Sequence, residues 1–280
     1  MANVCVITGG GSGMGLEVAK LMGGDVHVIV TGRTVAKLEN AVNEIKAAGV
    51  DVSAFACDAS DPASVDALVA HATSLGTVKT VIHAAGVSPH MTNAQQIWDI
   101  NACGTVNVDE KFAAAMDEGG VILNVASMAG YMLPADKAPI PVYMASEMGP
   151  EALSGAFAQM LPMLPEGMAE GSAYTMSKNF VIWYTKREAV KYGSKGIRVV
   201  SSSPGTFTTP MGIVEGDDAA NIGKSGAMGR LGEPVEIARM MAFMVSDQCS
   251  YLDGVDVLYD GGVIAAAEVR ATNEAMAKQE

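Results

Sequence analysis

Short apolar runs alternate with helical segments along most of the chain, and this alternation restricts the fold more than any other feature. The predicted strands are Val4–Thr8, Val26–Thr31, Val52–Ala56, Val78–His83, Val121–Ala126, Ile197–Ser203 and Val255–Tyr259. Strands that are apolar on both faces and separated by helices are typical of a parallel sheet covered on both sides. We therefore predict an α/β fold, in which residues 1–280 form a single domain around a doubly wound, seven-stranded parallel sheet.

Amphipathic or alanine-rich segments fill the intervals between the strands and predict the covering helices. These segments are Gly15–Met22, Val35–Ala48, Ala63–Ser74, Gln96–Met116, Ala173–Tyr192 and Pro234–Ser246. Thr34 and the pair Asp61-Pro62 supply N-terminal caps for two of them. The C-terminal tail, residues 263–280, is compatible with a terminal helix or with a frayed end.

Residues 128–172 break the alternation. This segment holds six of the 11 prolines, and residues 128–176 hold eight of the 19 methionines. Prolines at this density exclude one long helix, so we predict shorter helical pieces such as Pro150–Gln159.

A glycine-rich turn, Thr8–Gly15 (TGGGSGMG), follows the first predicted strand directly and begins the first helix. Glycine permits a sharp turn and a close approach of the backbone to a pyrophosphate, and a helix N-terminus offers N–H groups to the anion. Alone the turn is also compatible with a flexible loop. Its position between strand and helix favours a dinucleotide site.

The end of the second strand bears on which dinucleotide is bound. A carboxylate there would bind the ribose 2′-hydroxyl of NAD, whereas arginine suits a 2′-phosphate. The sequence offers Arg33 and no carboxylate, which favours NADP(H). NAD(H) stays possible if Arg33 instead stacks on the adenine or faces water.

Tyr174 and Lys178 lie four residues apart on a predicted helix, so their side chains share one face. A nearby cation lowers the pKa of a phenol towards working pH, as proton transfer to a substrate requires. A surface pair without function is the alternative interpretation.

Taken in order, these motifs resemble the short-chain dehydrogenase/reductase superfamily, whose pattern is TGxxxGxG, an Asn, a Ser and YxxxK. The resemblance covers nearly the whole chain and includes Ser203-Pro204-Gly205 and Asp260-Gly261-Gly262. It implies a Rossmann fold and hydride transfer between a nicotinamide and an alcohol or ketone carbon. The implied catalytic residues are Asn101, Ser127, Tyr174 and Lys178. The implied cofactor contacts are Gly9, Ser12, Gly13, Met14, Gly15, Arg33, Asp58, Ala59, Ala85, Gly86, Tyr174, Lys178, Pro204, Gly205, Phe207 and Thr209.

Two departures from the superfamily pattern stand out. His83 replaces the first Asn of the family's NNAG motif, and we interpret it as a structural residue. Ser127 and Tyr174 are 47 residues apart, against little more than a dozen in most members, so an insertion precedes the catalytic helix. It resembles the bacterial 3α-hydroxysteroid dehydrogenase/carbonyl reductase branch.

The inserted segment, residues 128–172, lies between two catalytic residues and is expected to be mainly helical and to cover the substrate cleft. Flexible, polarizable Met side chains suit bulky apolar ligands, which predicts a hydrophobic secondary alcohol or ketone such as a hydroxysteroid. The alternative is that these methionines only pack a small core. Because family members usually associate through the helices that carry the Asn and the Tyr, a covering insertion favours a homodimer over a tetramer.

Composition excludes several other classes of protein. A net charge of −13 without a Lys/Arg-rich block argues against nucleic-acid and anionic-membrane partners. The four cysteines and four histidines show no metal-ligand spacing, and we expect no metal, no signal peptide and a reduced, cytoplasmic location. Two other functions stay open: a 3-oxoacyl thioester reductase and a non-catalytic NADP(H)-binding sensor.

Overall fold

A seven-stranded sheet forms the centre of the computed structural model, which describes residues 2–278. Its strands are β1 Ala2–Thr8, β2 Val26–Gly32, β3 Val52–Ala56, β4 Gly76–His83, β5 Val121–Val125, β6 Arg198–Pro204 and β7 Asp256–Tyr259. All neighbouring pairs are parallel, in the order β3-β2-β1-β4-β5-β6-β7. The predicted doubly wound parallel sheet is confirmed.

The strand order reverses at β1, which pairs with β2 on one side and with β4 on the other. The connections leaving β1 and β4 therefore diverge to opposite faces and open a crevice at the carboxyl ends of the strands. Thr8, the last residue of β1, lies in register with Thr31 of β2 and with His83 of β4. Thr8 and His83 directly precede loops that the sequence associates with cofactor binding, and Thr31 lies two residues before Arg33.

Helices cover both faces of the sheet. They are α1 Gly13–Ala19, α2 Val35–Ala47, α3 Pro62–Leu75, α4 Ala94–Trp98, α5 Gly104–Ala115, α6 Ile140–Met144, α7 Pro150–Met160, α8 Ala169–Gly193, α9 Pro210–Lys224, α10 Pro234–Val245 and α11 Val263–Ala277. Buried residues of α1, α2 and α10 pack with one face, and those of α3, α5 and α8 pack with the other. Among the described residues, no helix is long and apolar enough to cross a membrane.

The structure differs from the predicted helices in two places. The helix expected over Gln96–Met116 is divided by a π-helical turn, Asp99–Cys103. Such turns are rare, and helix prediction from a 3.6-residue period does not detect them. Helix α9 was not predicted. Its start was nevertheless readable, since Thr209 caps the helix and Pro210 occupies its first position.

The insertion is mainly helical, with α6 and α7 joined by single turns, and it docks through aromatic rings. Phe157 of α7 stacks on Trp98 of α4, with ring centroids 4.5 Å apart and planes 6° apart. The Tyr143 hydroxyl of α6 donates to the Met176 carbonyl of α8 at 3.0 Å. The insertion is thus fixed to both the helix before the π turn and the long helix α8.

A polar contact reinforces the same docking surface. The Asp99 carboxylate accepts hydrogen bonds from Ser154 of α7 at 2.6 Å and from Gln95 of α4 at 3.0 Å. Asp99 is the first residue of the π turn. Residues of the insertion therefore contact the turn that carries Asn101.

The C-terminal tail is helical as far as Ala277, which resolves the two alternatives left by the sequence. Val263 and Ile264 at its start are buried beside Met128 of the insertion. The end of the tail, residues 279 and 280, lies outside the described residues.

Candidate active site

A cleft of about 640 Å³ opens at the carboxyl ends of β1, β4, β5 and β6. Of the predicted site residues, all within the described range, every one except Asn101 contributes to its wall. They are Gly9, Ser12, Gly13, Met14, Gly15, Arg33, Asp58, Ala59, Ala85, Gly86, Ser127, Tyr174, Lys178, Pro204, Gly205, Phe207 and Thr209. Residues from seven separate parts of the sequence meet there.

At some positions of the glycine-rich turn the backbone is packed so closely that a side chain would not fit. A Cβ on Gly9 would lie 2.7 Å from the Ala84 carbonyl oxygen, and one on Gly15 would lie 2.5 Å from the Gly9 carbonyl oxygen. The Ser12 side chain does not cap α1, so the capping position at its N-terminus is available to an anionic ligand. This close-packed backbone cradle fits the pyrophosphate of a dinucleotide.

Two basic side chains lie where β2 leads into α2. Arg33 and Lys37 both line the cleft, and Thr34 lies between them in the sequence. A Cβ on Gly11 would lie 3.5 Å from the Lys37 Cβ, which places the base of Lys37 beside the glycine-rich turn. Sequence reasoning identified Arg33 and missed Lys37, because Arg33 precedes α2 and the helical spacing rule does not link the two residues.

Asp58 follows β3 and is held by its own turn. One carboxylate oxygen accepts hydrogen bonds from the Ser60 backbone N–H at 3.0 Å and from the Ser60 hydroxyl at 2.7 Å. The Asp58 backbone N–H donates to Ser64 at 3.0 Å. These bonds fix the direction of the carboxylate at the edge of the cleft.

Asn101 lies behind the cleft wall rather than on it. Its Oδ1 accepts a hydrogen bond from the Val87 N–H at 2.9 Å, and its Nδ2 donates to the Val87 carbonyl at 3.0 Å. A Cβ on Gly86 would lie 3.1 Å from Asn101 Oδ1 and 3.4 Å from Lys178 Nζ. Asn101 therefore ties the π turn to the loop after β4, immediately beside Lys178.

Tyr174, Lys178 and Ser127 come together at the end of β5. Lys178 Nζ lies 5.9 Å from the centroid of the Tyr174 ring and donates to the Val125 carbonyl at 2.9 Å. Ser127 follows β5 directly, and its Oγ accepts a hydrogen bond from the Ala129 N–H at 3.2 Å. A phenol, an ammonium and a hydroxyl thus border one pocket, as a proton transfer to an oxygen atom requires.

His83 is buried beneath this wall. Its Nδ1 lies 2.8 Å from the Thr8 hydroxyl, which also accepts a hydrogen bond from the Ala85 N–H at 3.1 Å. Burial chiefly, and then the positive charge of Lys178, lower the pKa of His83 to about 3. A neutral ring that supports the Ala84–Ala85 turn through Thr8 agrees with a structural role.

The remainder of the cleft wall is largely apolar. Met91, Ile100 and Met132 approach it from the side of the insertion, and Met211 and Ile222 of α9 approach it from the other side. The sequence analysis named none of these five as site residues, since apolar side chains at a ligand pocket resemble those of a core.

Methionines of the insertion have several environments. Met128 and Met132 line the cleft, while Met160 packs with the aromatic cluster around Trp98. Met148 and Met163 are exposed. Neither substrate contact nor simple packing therefore describes the whole segment. No group of three or more His, Cys, Asp or Glu side chains within residues 2–278 is arranged to hold a metal ion.

Comparisons with known proteins agree with this geometry. A family profile described as short chain dehydrogenase matches residues 3–162, and one described as enoyl-(acyl carrier protein) reductase matches residues 164–264. A cyclohexanol dehydrogenase from an Acinetobacter species is 28% identical over 270 residues, covering 92% of this chain and 93% of that protein. The short-chain dehydrogenase/reductase bsc3 of Alternaria brassicicola is 27% identical over 271 residues, covering 95% and 97%.

Solved structures share the fold. A short chain dehydrogenase from Burkholderia cenocepacia in complex with NADP has a TM-score of 0.74 at 23% identity, with 92% of this chain and 96% of that chain covered. A variant of the actinorhodin polyketide ketoreductase with NADPH has a TM-score of 0.72 at 23% identity, with 94% and 97% covered.

Proposed function

The chain belongs to the short-chain dehydrogenase family as an NAD(P)-dependent alcohol dehydrogenase or ketone reductase, and from this premise we propose that its substrate is a bulky, hydrophobic secondary alcohol or ketone. A hydroxysteroid is the leading example. The observation that carries the proposal is the convergence of Tyr174, Lys178 and Ser127 on an apolar pocket beside the glycine-rich turn. We place the reacting oxygen atom between the Tyr174 and Ser127 hydroxyls.

The proton chemistry follows from these side chains. A bound nicotinamide supplies or accepts the hydride at the substrate carbon. Tyr174 donates its proton to the carbonyl oxygen during reduction and accepts it back during oxidation. The positive charge of Lys178 favours the phenolate that remains, and the Ser127 hydroxyl donates to the same substrate oxygen. Asn101 acts as a positioning residue, because it holds the loop that borders Lys178.

We propose that the preferred cofactor is NADP(H). Arg33 and Lys37 would bind the 2′-phosphate from two sides, and the Arg33 guanidinium would make the directional hydrogen bonds. The glycine-rich turn and α1 would hold the pyrophosphate, and Asp58 with Ala59 would border the adenine. Pro204, Gly205, Phe207 and Thr209 would border the nicotinamide end.

The insertion, residues 128–172, acts in this proposal as the lid of the substrate cleft. Met132 and Met91 supply adaptable apolar contacts on its side of the pocket. Because α7 covers α4 and contacts α5, the homodimer would form through another face of the molecule.

A panel of substrates tests the proposed function. Hydroxysteroids, aromatic ketones and 3-oxoacyl thioesters are each assayed with NAD(H) and NADP(H), following the absorbance of the reduced cofactor. We expect turnover of the hydrophobic ketones, with NADPH preferred over NADH. Preference for the thioesters would favour an acyl reductase, and NADPH binding without turnover of any carbonyl would favour a sensor.

Tyr174→Phe provides the matched control. It removes only the phenolic oxygen, so we expect a loss of at least about a thousandfold in kcat, within the range found when a general acid is removed. Binding of NADPH, measured by its fluorescence, should be retained. Near-normal turnover by this variant would contradict the assigned proton donor.

A further inference from the structure

A second cavity, of about 1320 Å³, lies on the far side of the loop that follows β4. We call it the distal cavity. It is open to solvent and is lined by Pro89, His90, Thr92 and Asn93, by both ends of the insertion and by the first two turns of α8. None of the motifs considered above predicts it, and it lies outside the catalytic cleft.

The two cavities have a common wall. Pro89 and His90 line both of them. On α8, Tyr174 faces the catalytic cleft, while its neighbour Thr175 lines the distal cavity. Consecutive residues of α8 therefore line the two cavities.

The insertion shows the same division. Met132 lines the catalytic cleft, and the next residue, Leu133, lines the distal cavity. A ligand that spans both cavities would have to pass Pro89 and His90, which line both of them. His90 is exposed, so its side chain is not locked in a packed core.

The lining of the distal cavity suits an apolar group with a polar end. Leu133, Leu164 and Met176 form apolar wall, whereas Lys137 and Glu170 place one charge of each sign in the lining. The Lys137 side chain is 71% exposed, which puts this charge at the rim rather than inside. Ligand sites combine mostly apolar walls with a few polar groups in this way.

We propose that the distal cavity binds the far end of the substrate, so that the enzyme selects elongated hydrophobic ketones and alcohols over compact ones. This proposal rests on the proposed function, because it places the reacting carbon at Tyr174. The apolar body of the substrate lies between Leu133, Leu164 and Met176, and a terminal polar group reaches the rim beside Lys137. The insertion thereby builds a subsite in addition to covering the cleft.

Two glycines provide a matched pair of variants. Gly171, in the first turn of α8, lines the distal cavity, and a Cβ added there would meet no atom within 4 Å. Gly155, on α7, has the same free space around its Cβ but lines neither cavity. Gly171→Trp therefore obstructs the distal cavity, and Gly155→Trp places the same side chain on another exposed helix surface.

Cyclohexanone and a series of 4-alkylcyclohexanones of increasing length are the probes. In the unmodified protein kcat/KM should rise with alkyl length, since each buried methylene adds favourable binding free energy. Gly171→Trp should lower kcat/KM for the longest ketone at least tenfold and leave cyclohexanone within about twofold. Gly155→Trp should leave the whole series unchanged.

Calorimetric titration of the longest ketone into the NADP⁺-loaded protein gives a second readout that needs no turnover. Its affinity should fall at least tenfold in Gly171→Trp and stay unchanged in Gly155→Trp. An equal effect of Gly171→Trp on short and long ketones, or no effect on either, would overturn the distal subsite. Normal turnover of cyclohexanone in the same experiment would leave the proposed function standing. Absence of turnover with every ketone in the unmodified protein would instead refute the proposed function.

Discussion

His83 makes the free energy of unfolding depend on pH in a way that can be isolated by one substitution. Its ring is 2% exposed, and burial with the nearby charge of Lys178 lowers its pKa to about 3, from an ordinary value of 6.5. In the unfolded chain the ring takes up a proton as the pH falls below about 6.5, whereas in the folded protein it stays neutral. Stability from this group is therefore complete above about pH 6.5 and declines as the pH falls towards 3.

The size of the effect follows from the difference in proton binding. Each pH unit within the window costs about 1.4 kcal/mol, so the unmodified protein should lose about 2.7 kcal/mol from His83 alone between about pH 7.5 and pH 4.5. His83→Asn retains a hydrogen-bonding side chain beside Thr8 but cannot take up the proton. Between about pH 7.5 and pH 4.5 the free energy of unfolding of His83→Asn should therefore decrease by about 2.7 kcal/mol less than that of the unmodified protein. Asp109 and the other buried acids are present in both proteins, so their contributions cancel in the comparison.

Urea unfolding of both proteins at the two pH values measures the difference. His90→Asn is the matched control, because it makes the same substitution at an exposed histidine. An identical pH dependence in His83→Asn and the unmodified protein would show that His83 titrates normally in the folded state. The account of a neutral ring supporting the Ala84–Ala85 turn would then be wrong.

Three further predictions follow from the geometry. Arg33→Ala should raise KM for NADPH at least about tenfold and change KM for NADH less than about threefold, because only NADPH has a 2′-phosphate. Equal changes for the two cofactors would contradict the binding of the 2′-phosphate by Arg33. Burial raises the pKa of the Asp109 carboxyl well above its usual range, so the cost of this carboxyl to stability grows as the pH rises above its pKa in the unfolded chain. In urea unfolding, Asp109→Asn should therefore stabilise the protein more at about pH 8 than at about pH 5. The reverse order would contradict this assignment. Phe157→Ala should lower the free energy of unfolding by about 3–5 kcal/mol through loss of the stack on Trp98. The control Met163→Ala, at an exposed residue, should lower it by less than about 0.5 kcal/mol. A similar small effect of both substitutions would show that the insertion is loosely attached.

The parallel sheet could be predicted from the sequence because a strand buried on both faces leaves an unmistakable apolar run. The predicted strand Val121–Ala126, for example, differs from β5 at its end by one residue. The glycine-rich turn was equally readable, since its position between a strand and a helix is a local property of the sequence. Motif order placed Tyr174, Lys178 and Ser127 in one site, and in the structure they lie together.

What the sequence could not show depends on contacts between distant residues. The π turn at Asp99–Cys103 departs from the 3.6-residue period on which helix prediction depends. The wall of the distal cavity combines Leu133, Leu164 and Thr175, and no spacing rule links three such separate residues. Lys37 was missed because its role depends on the direction in which α2 leaves β2.

The docking of the insertion also determines how it could be used in protein engineering. Phe157 and Tyr143 belong to the inserted segment, but their partners Trp98 and Met176 belong to helices on either side of the site. Grafting residues 128–172 onto another member of the family would therefore transplant only half of an interface. A functional chimera would need the acceptor positions of α4 and α8 to be exchanged together with the segment.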